Sequence, residues 1–362
     1  MGKDVVSLII PVHNAEKYLD KRMEDIFRQD YPSLEIILVE NGSKDQTYEK
    51  CKIIAKGNDC VKAYRNDLQG TSLARKRGVQ EARGKYILFS DQDDYYVDRH
   101  AITNMVQAIQ EDNSQICQFS HYNQYLPGLR RKRTGNRKKI KYTREELMNE
   151  AISGVLGQPD GIFDTTVWSK IYDADVLKAA VQNIDKPMFY AEDLYLNMLA
   201  FFNESVKSVS VRPEAYYVWK TGIGFSSSSG SGKVLFREYE QVNRLAETIA
   251  QEYELPAEIV RKCHIGTLYF HKKLVLQIWD ETQDEELCLK EVAEMEAMPH
   301  LNIARSYVQK LSPKEIWDEL AFMADRHSPE EFLHWCRQNR PAVGKKERIL
   351  GMLAKLRNPQ RK

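Results

Sequence analysis

Four short apolar runs, each followed by a polar loop and then a helical pattern, constrain this chain more than any other feature. Residues 5–12 (VVSLIIPV), 35–39 (EIILV), 61–64 (VKAY) and 86–89 (YILF) have the length and the β-branched or aromatic content of buried strands. Between them, Tyr18, Leu19, Met23, Ile26 and Phe27 recur at helical spacing. A second helix is expected over 47–56 with Ser43 as its cap, and a third starts at Gly70-Thr71-Ser72 and is closed by Gly84. Alternation at this pace predicts right-handed β-α-β units and an open parallel sheet. Ligands of such sheets sit beyond the carboxyl ends of the strands. The loops Pro11 to Asn14, Glu40 to Ser43 and Asp91 to Asp94 are therefore expected to share one edge.

The third of these loops carries the densest chemistry. In residues 85–98 (KYILFSDQDDYYVD) the apolar run stops at Ser90, and Asp91, Asp93 and Asp94 follow within four positions. Carboxylates this close at a buried strand end repel one another unless something compensates. One reading is a divalent cation, and oxygen-only ligands suit Mg²⁺ or Mn²⁺. The other is a cap for the next helix, where Asp is also favoured. The stretch alone supports both.

Composition excludes several classes. The 362 residues carry a net charge of +1, so the chain as a whole is not an electrostatic binder of nucleic acid. No run approaches the roughly 18 apolar residues of a membrane span. The start, MGKDVVSLII, lacks the layout of a signal peptide, and the six cysteines have no CxxC or metal-type spacing. Free thiols in a reducing cytoplasm are the expectation. No GxGxxG follows the first strand, so dinucleotide hydride chemistry lacks its phosphate cradle.

Further along, residues 101–112 read as a helix and 116–120 as a strand. Residues 128–141 (GLRRKRTGNRKKIK) form a basic run with Gly135-Asn136 as its expected turn. It is either a solvated loop or a contact for anionic acceptors; no aromatic residue is interleaved to stack on bases. A helix is expected over 143–153, strands over 206–211 and 215–219, and a glycine- and serine-rich loop over 221–233. From 234 onward the pattern is helical, over 236–253, 256–279, 285–298, 303–311, 313–326 and 329–338. His264 and His271 share a helix face with no third ligand, so core or surface histidines are expected. Residues 345–357 pair an apolar stripe (Ile349, Leu350, Leu353, Leu356) with lysines and arginines. Such a helix either lies on an anionic membrane surface or packs against a neighbouring helix or subunit, so a homo-oligomer stays open.

The ordered segments VSLIIPVHNAEKYL, IILVENGSKDQT and GTSLARKRGVQEARGKYILFSDQDD resemble the front half of glycosyltransferase family 2. Trp168-Ser169-Lys170-Ile171-Tyr172 and Phe189 with Glu192-Asp193 extend the resemblance into the acceptor half. It implies a GT-A fold, an α/β architecture with a mostly parallel central sheet, over residues 1–225. Within that, 1–98 would be the nucleotide-sugar half and 99–225 the acceptor half, followed by an α-helical region over 226–362.

The resemblance also implies roles. Pro11, Val12, Asn14, Glu40, Asn41, Arg75, Asp91 and Gln92 would hold a nucleoside-diphosphate sugar, UDP-linked in this reading, and Asp93 would ligate Mn²⁺ or Mg²⁺. Asp193 would be the base of an inverting transfer, with Glu192, Trp168 and Lys170 meeting a glycan or lipid-linked acceptor. Tyr217, Trp219, Lys220 and Ser226 roughly match a lid whose basic residue reaches the donor phosphates; a bare linker is the alternative. Related enzymes build bacterial capsule, O-chain and cell-wall polymers on the cytoplasmic side of the membrane. A nucleotidyltransferase or a non-catalytic glycan-binding protein on the same sheet are the rival classes; PVHNAEKYL is not the glycine-rich loop of the former.

Overall fold

The structure, a computed structural model, describes residues 3–126, 129–133, 138–151, 162–220 and 232–340. Strands β1 (Val6–Val12), β2 (Leu34–Glu40), β3 (Val61–Arg65) and β4 (Tyr86–Phe89) run parallel in the spatial order β3-β2-β1-β4. Helices α1 (Leu19–Phe27), α2 (Thr47–Gly57) and α3 (Thr71–Glu81) make the crossovers. Both faces of the sheet are covered, which explains the continuous apolar runs. Ile9 and Ile37 join one core and Leu8, Ile10 and Leu38 the other. Gly78 is required where α3 lies on β1: a Cβ there would stand 2.3 Å from Ile9 Cγ2.

The sheet continues through β9 (Lys170–Asp173), β6 (Ile116–Leu126), β10 (Ser208–Lys220) and the short β5 (Tyr95–Tyr96). β9 runs antiparallel to both β4 and β6, while β6 and β10 are parallel. The parallel front is thus sewn to the second half by one reversed strand. Helices α4 (Ala101–Asp112), α6 (Ala174–Ala180) and α7 (Glu192–Phe201) pack on this half.

Several local expectations are corrected. Ser43 does not cap α2; Asp45 Oδ1 accepts from Thr47 N, and Ser43 Oγ accepts from Asn14 N instead. Asp94 caps no helix either: it precedes β5, and its buried Oδ1 accepts from Lys220 N. The two strands expected over 206–219 are one strand, β10, with register shifts around Ala215. In the basic stretch, β7 (Leu129–Arg133) pairs back on β6, so the first reversal lies before it rather than at Gly135-Asn136, which fall outside the described residues. β8 (Ile140–Thr143) then pairs with β10. Instead of one helix over 143–153, a Thr143–Glu146 capping box starts α5 (Arg144–Glu146), which opens into a π-turn over Leu147–Ala151.

The C-terminal region comprises α8 (Gly232–Glu252), α9 (Ala257–Thr282), α10 (Glu285–Glu296), α11 (Pro299–Val308), α12 (Asp318–Ala324) and α13 (Pro329–Gln338). α12 is shorter than the expected 313–326, because Trp317 stands in extended backbone at its start. The long α9 is the axis on which the other helices pack. Val242, Ile249, Leu255 and Ile259 join the core beneath α7, so the helical region is seated on the sheet-bearing half. His271 is buried with Nδ1 on Thr267 O, a core histidine whose burial lowers its pKa to about 4. The cysteines are free thiols. Among the described residues no helix is long and apolar enough to cross a membrane. The basic stripe over 345–357 and Ser226 lie outside them.

Candidate active site

The ends of β1, β2 and β4 meet on one edge, as open parallel sheets require. Along β1 and β2 the polar groups are tied to the protein itself. Asn41 is 4% exposed; its N donates to Val12 O and its Oδ1 accepts from Gly70 N at 2.8 Å. Glu40 is buried, accepts from Ser43 N and pairs with Arg65 at 3.3 Å. Gly42 turns this loop at φ +77°, a value side chains avoid. Asn14, exposed and left-handed at φ 47°, accepts from Lys44 N. Gln92 crosses from the β4 loop to bond His13 at both N and O, at 2.7 and 2.9 Å. Pro11 and the buried Val12 end β1 here.

The centre of the edge is acidic. Arg75, on the buried face of α3 and only 3% exposed, faces three carboxylates from two distant segments. Its Nη1 lies 2.8 Å from Glu192 and 2.7 Å from Asp193, and its Nη2 3.6 Å from Asp91. The sequence-based role for Arg75 was contact with the nucleoside; in the structure its guanidinium is engaged by carboxylates instead. Asp193 Oδ2 also accepts from Val167 N at 3.2 Å. Glu192 and Asp193 open α7, where exposed N–H groups favour negative charge. Ala191 before them is left-handed, φ 55°, and this kink aims the pair back at Arg75.

A second buried arginine supports the aspartate loop from below. Arg22 on α1 donates to Ser90 Oγ and to Asp25, and Asp25 Oδ2 accepts from Tyr96 N. The Tyr217 hydroxyl accepts from Asp91 N at 2.9 Å and lies 3.2 Å from Ser90 Oγ. Lys220 Nζ reaches the Asp93 carbonyl and sits over the Tyr95 ring. The polar side of an amphipathic helix gave no hint that Arg22 would be buried, so sequence reading passed it over.

The residues expected on an acceptor side divide. Trp168 is stacked on Tyr217 at 4.7 Å and on Trp219 at 6.5 Å, beside the backbone that binds Asp193. Lys170, expected to meet an acceptor, is corrected: its side chain is fully buried, and Nζ donates to Asp164 O, Asp164 Oδ1 and Thr166 O. Those bonds use the three donors of an ammonium, so Lys170 fixes the 164–166 turn. Asp164 was missed. Burial raises its pKa, but Lys170 and His121 overcome this and hold it down at about 2.

The charges at the centre are raised in energy. Burial, opposed by Arg75 and reinforced by Asp193, pushes Glu192 up to about 7. Asp91, Asp93 and Asp94 are all pushed up, first by burial, and Asp91 and Asp94 also by neighbouring aspartates. Asp94 Oδ2 is buried without a hydrogen-bond partner. An oxygen-only, electron-rich loop of this kind fits Mg²⁺ or Mn²⁺ chemically. Among the described residues no three His, Cys, Asp or Glu side chains form a closed metal cage.

Comparison with known proteins agrees with this geometry. Residues 7–177 match the model of glycosyl transferase family 2. An uncharacterised glycosyltransferase, EpsJ of Bacillus subtilis, is 26% identical over 60% of this chain and 61% of its own length. Glycosyltransferase GlyG of Streptococcus pneumoniae is 31% identical over 33% of this chain and 40% of its own. The matched stretches therefore span less than two thirds of either relative's own length. The crystal structure of S. aureus TarS 1-349 in complex with UDP-GlcNAc superposes with a TM-score of 0.62 at 19% identity, covering 94% of this chain and 93% of that one. Residues 7–177 are thus similar to glycosyl transferase family 2, and the chain has a GT-A fold like that of TarS, a mixed α/β sheet followed by a helical region.

Proposed function

We propose that this chain transfers a sugar, with inversion, from a nucleoside-diphosphate sugar to a hydroxyl of a glycan or lipid-linked glycan, in a metal-dependent reaction. The observation that carries this reading is the meeting of Asp91 and Asp193, from segments a hundred residues apart, around one buried arginine. A binding module needs no such concentration of unstable carboxylates. The solved relative TarS, bound to UDP-GlcNAc, supports a UDP-linked donor.

In this reading Asp193 accepts the proton of the acceptor hydroxyl as its oxygen attacks the anomeric carbon from the side opposite the diphosphate. Arg75 holds that carboxylate in place through a contact of 2.7 Å. Glu192, pushed up to about 7, is partly protonated at neutral pH and able to donate a hydrogen bond to the acceptor. Trp168, stacked under Trp219, lines the acceptor side. Asn41, Glu40 and the Val12 end of β1 frame the base and ribose, with Asp91 reaching the ribose or sugar. Lys220 and Asp93 stand where the diphosphate departs. Asp93 would supply one ligand to Mg²⁺ or Mn²⁺ and the diphosphate others; the ion would stabilise the charge of the leaving group. Bacterial surface-polymer synthesis at the cytoplasmic face of the membrane is the setting this assigns.

Release of nucleoside diphosphate from a panel of nucleoside-diphosphate sugars, UDP-sugars among them, with Mn²⁺ or with chelator, tests the proposal. Turnover of one donor that collapses on chelation is expected. Equal turnover in chelator would remove the metal role of Asp93, and no turnover of any nucleoside-diphosphate sugar would overturn the reading.

A further inference from the structure

α7 carries Glu192 and Asp193, and it is gripped at both ends by the helical region. At its start, Glu238 of α8 reaches into the catalytic half. Its carboxylate is 5% exposed, and Oε2 accepts from Phe189 N at 2.7 Å and Tyr190 N at 2.5 Å. These are the two residues before Ala191, whose left-handed backbone (φ 55°) turns the chain into α7. At its end, the Tyr253 hydroxyl donates to Phe202 O at 2.7 Å, and the two rings pack at 5.3 Å. Tyr190 also leans on Phe270 of α9, with centroids 6.1 Å apart.

Local forces do not explain why this loop holds its shape. A non-glycine residue in the left-handed region costs on the order of 1 kcal/mol and persists only when its surroundings over-determine it. Two adjacent N–H groups pointing the same way form a small anion-binding concavity, and a carboxylate is the strong acceptor for it. Glu238 fills that concavity from another region of the chain. Burial raises its pKa, and the two N–H bonds favour its ionised form.

From this arrangement we infer that Glu238 is a positioning residue for the Glu192–Asp193 pair, and that the helical region is thereby part of the catalytic unit. The carboxylate fixes residues 189–190, these fix the turn at Ala191, and the turn aims Asp193 at Arg75 and Val167 N. The inference rests on the proposed role of Asp193 as base. It goes beyond that role because Glu238 bonds Phe189 N and Tyr190 N and acts on the pair through that loop.

The test compares full-length wild type with Glu238→Ala and Glu238→Gln. A glutamine amide oxygen still accepts from both N–H groups, whereas alanine cannot. Val242 and Ile249, 2% and 3% exposed, keep α8 seated in both variants. A misplacement near 1 Å can cost about 100-fold in rate. Glu238→Ala is therefore expected to lose about 10- to 100-fold in kcat with the donor KM unchanged, and Glu238→Gln to recover most of it. Hydrogen exchange supplies a readout independent of activity: the amides of Phe189, Tyr190 and the first turn of α7 exchange faster in Glu238→Ala, and those of β1 to β4 do not. Loss of kcat, donor affinity and thermal stability together, with no rescue by glutamine, would reduce Glu238 to a general packing residue and overturn the inference. So would unchanged exchange at 189–195. A wild type that turns over no donor would defeat the proposed reaction instead, while the exchange experiment would still decide whether Glu238 holds the loop.

Discussion

Two stretches of the same sheet edge solve the problem of polar groups in opposite ways. Along β1 and β2, Asn41, Asn14 and Gln92 are each hydrogen-bonded to a neighbouring loop, while Glu40 accepts from Ser43 N of its own loop and pairs with Arg65 through an Oε2 that has no hydrogen-bond partner. Around Arg75, three carboxylates share one guanidinium, Asp94 Oδ2 has no hydrogen-bond partner, and Glu192 is displaced to about 7. The first arrangement is suited to recognising a neutral base and sugar through fixed shape. The second holds excess negative charge, which favours a cation, a proton or an acceptor hydroxyl. Substitutions should accordingly act on different quantities in the two places.

The largest effect should come from Arg75→Met. It leaves Asp91, Glu192 and Asp193 without their shared counter-charge, and removing one partner of a buried charge network costs about 3–5 kcal/mol. A fall in stability of that size, read by chemical denaturation, is expected together with loss of turnover. Stability equal to wild type would mean that the carboxylates do not depend on Arg75. Lys170→Met should come next. It strips the buried Asp164 of its main partner and should cost a few kcal/mol in the same assay. The folded fraction should keep its acceptor KM; a selective rise in acceptor KM would restore Lys170 to the acceptor site.

Acidity gives a smaller, signed effect. Glu192 has its folded pKa raised from 4.5 to about 7, chiefly by burial. Below 4.5 it is protonated in both states and its contribution to stability is fully present. As pH rises through about 7 the unfolded state ionises first and that contribution is lost. Glu192→Gln should therefore flatten the decline in Tm over this window, and an unchanged slope would contradict the displaced pKa. Along β1 and β2, Asn41→Ala should raise the donor KM by about 10-fold, one net hydrogen bond of about 1 kcal/mol plus an unpaired amide, with kcat held. A change in kcat alone would break the distinction between the two stretches.

Much of this site could be read from sequence, because strand–helix alternation fixes where loops gather without any knowledge of side-chain contacts. Asp91 and Asp193 were identifiable for that reason, with the motif resemblance supplying the second. Partners were not. Buried ion pairs such as Lys170–Asp164, and the burial of Arg22, depend on which side chains meet across the sheet, and a single sequence does not encode that as a pattern. Asp94 looked like a helix cap because Asp near a predicted helix start is a local signal; Lys220 N, 126 residues away, claims it instead. Glu238 lies on an amphipathic helix outside the motif resemblance, where nothing distinguishes a glutamate that holds a loop from one in solvent.

The most direct test of the account is donor turnover by Asp193→Asn at saturating metal, alongside wild type. Loss of a general base costs typically 10²–10⁴-fold, so UDP release should fall by about that factor while UDP binding, measured by calorimetry, stays within about twofold. UDP release at the wild-type rate would show that Asp193 is not the base and that the carboxylates around Arg75 serve some other end.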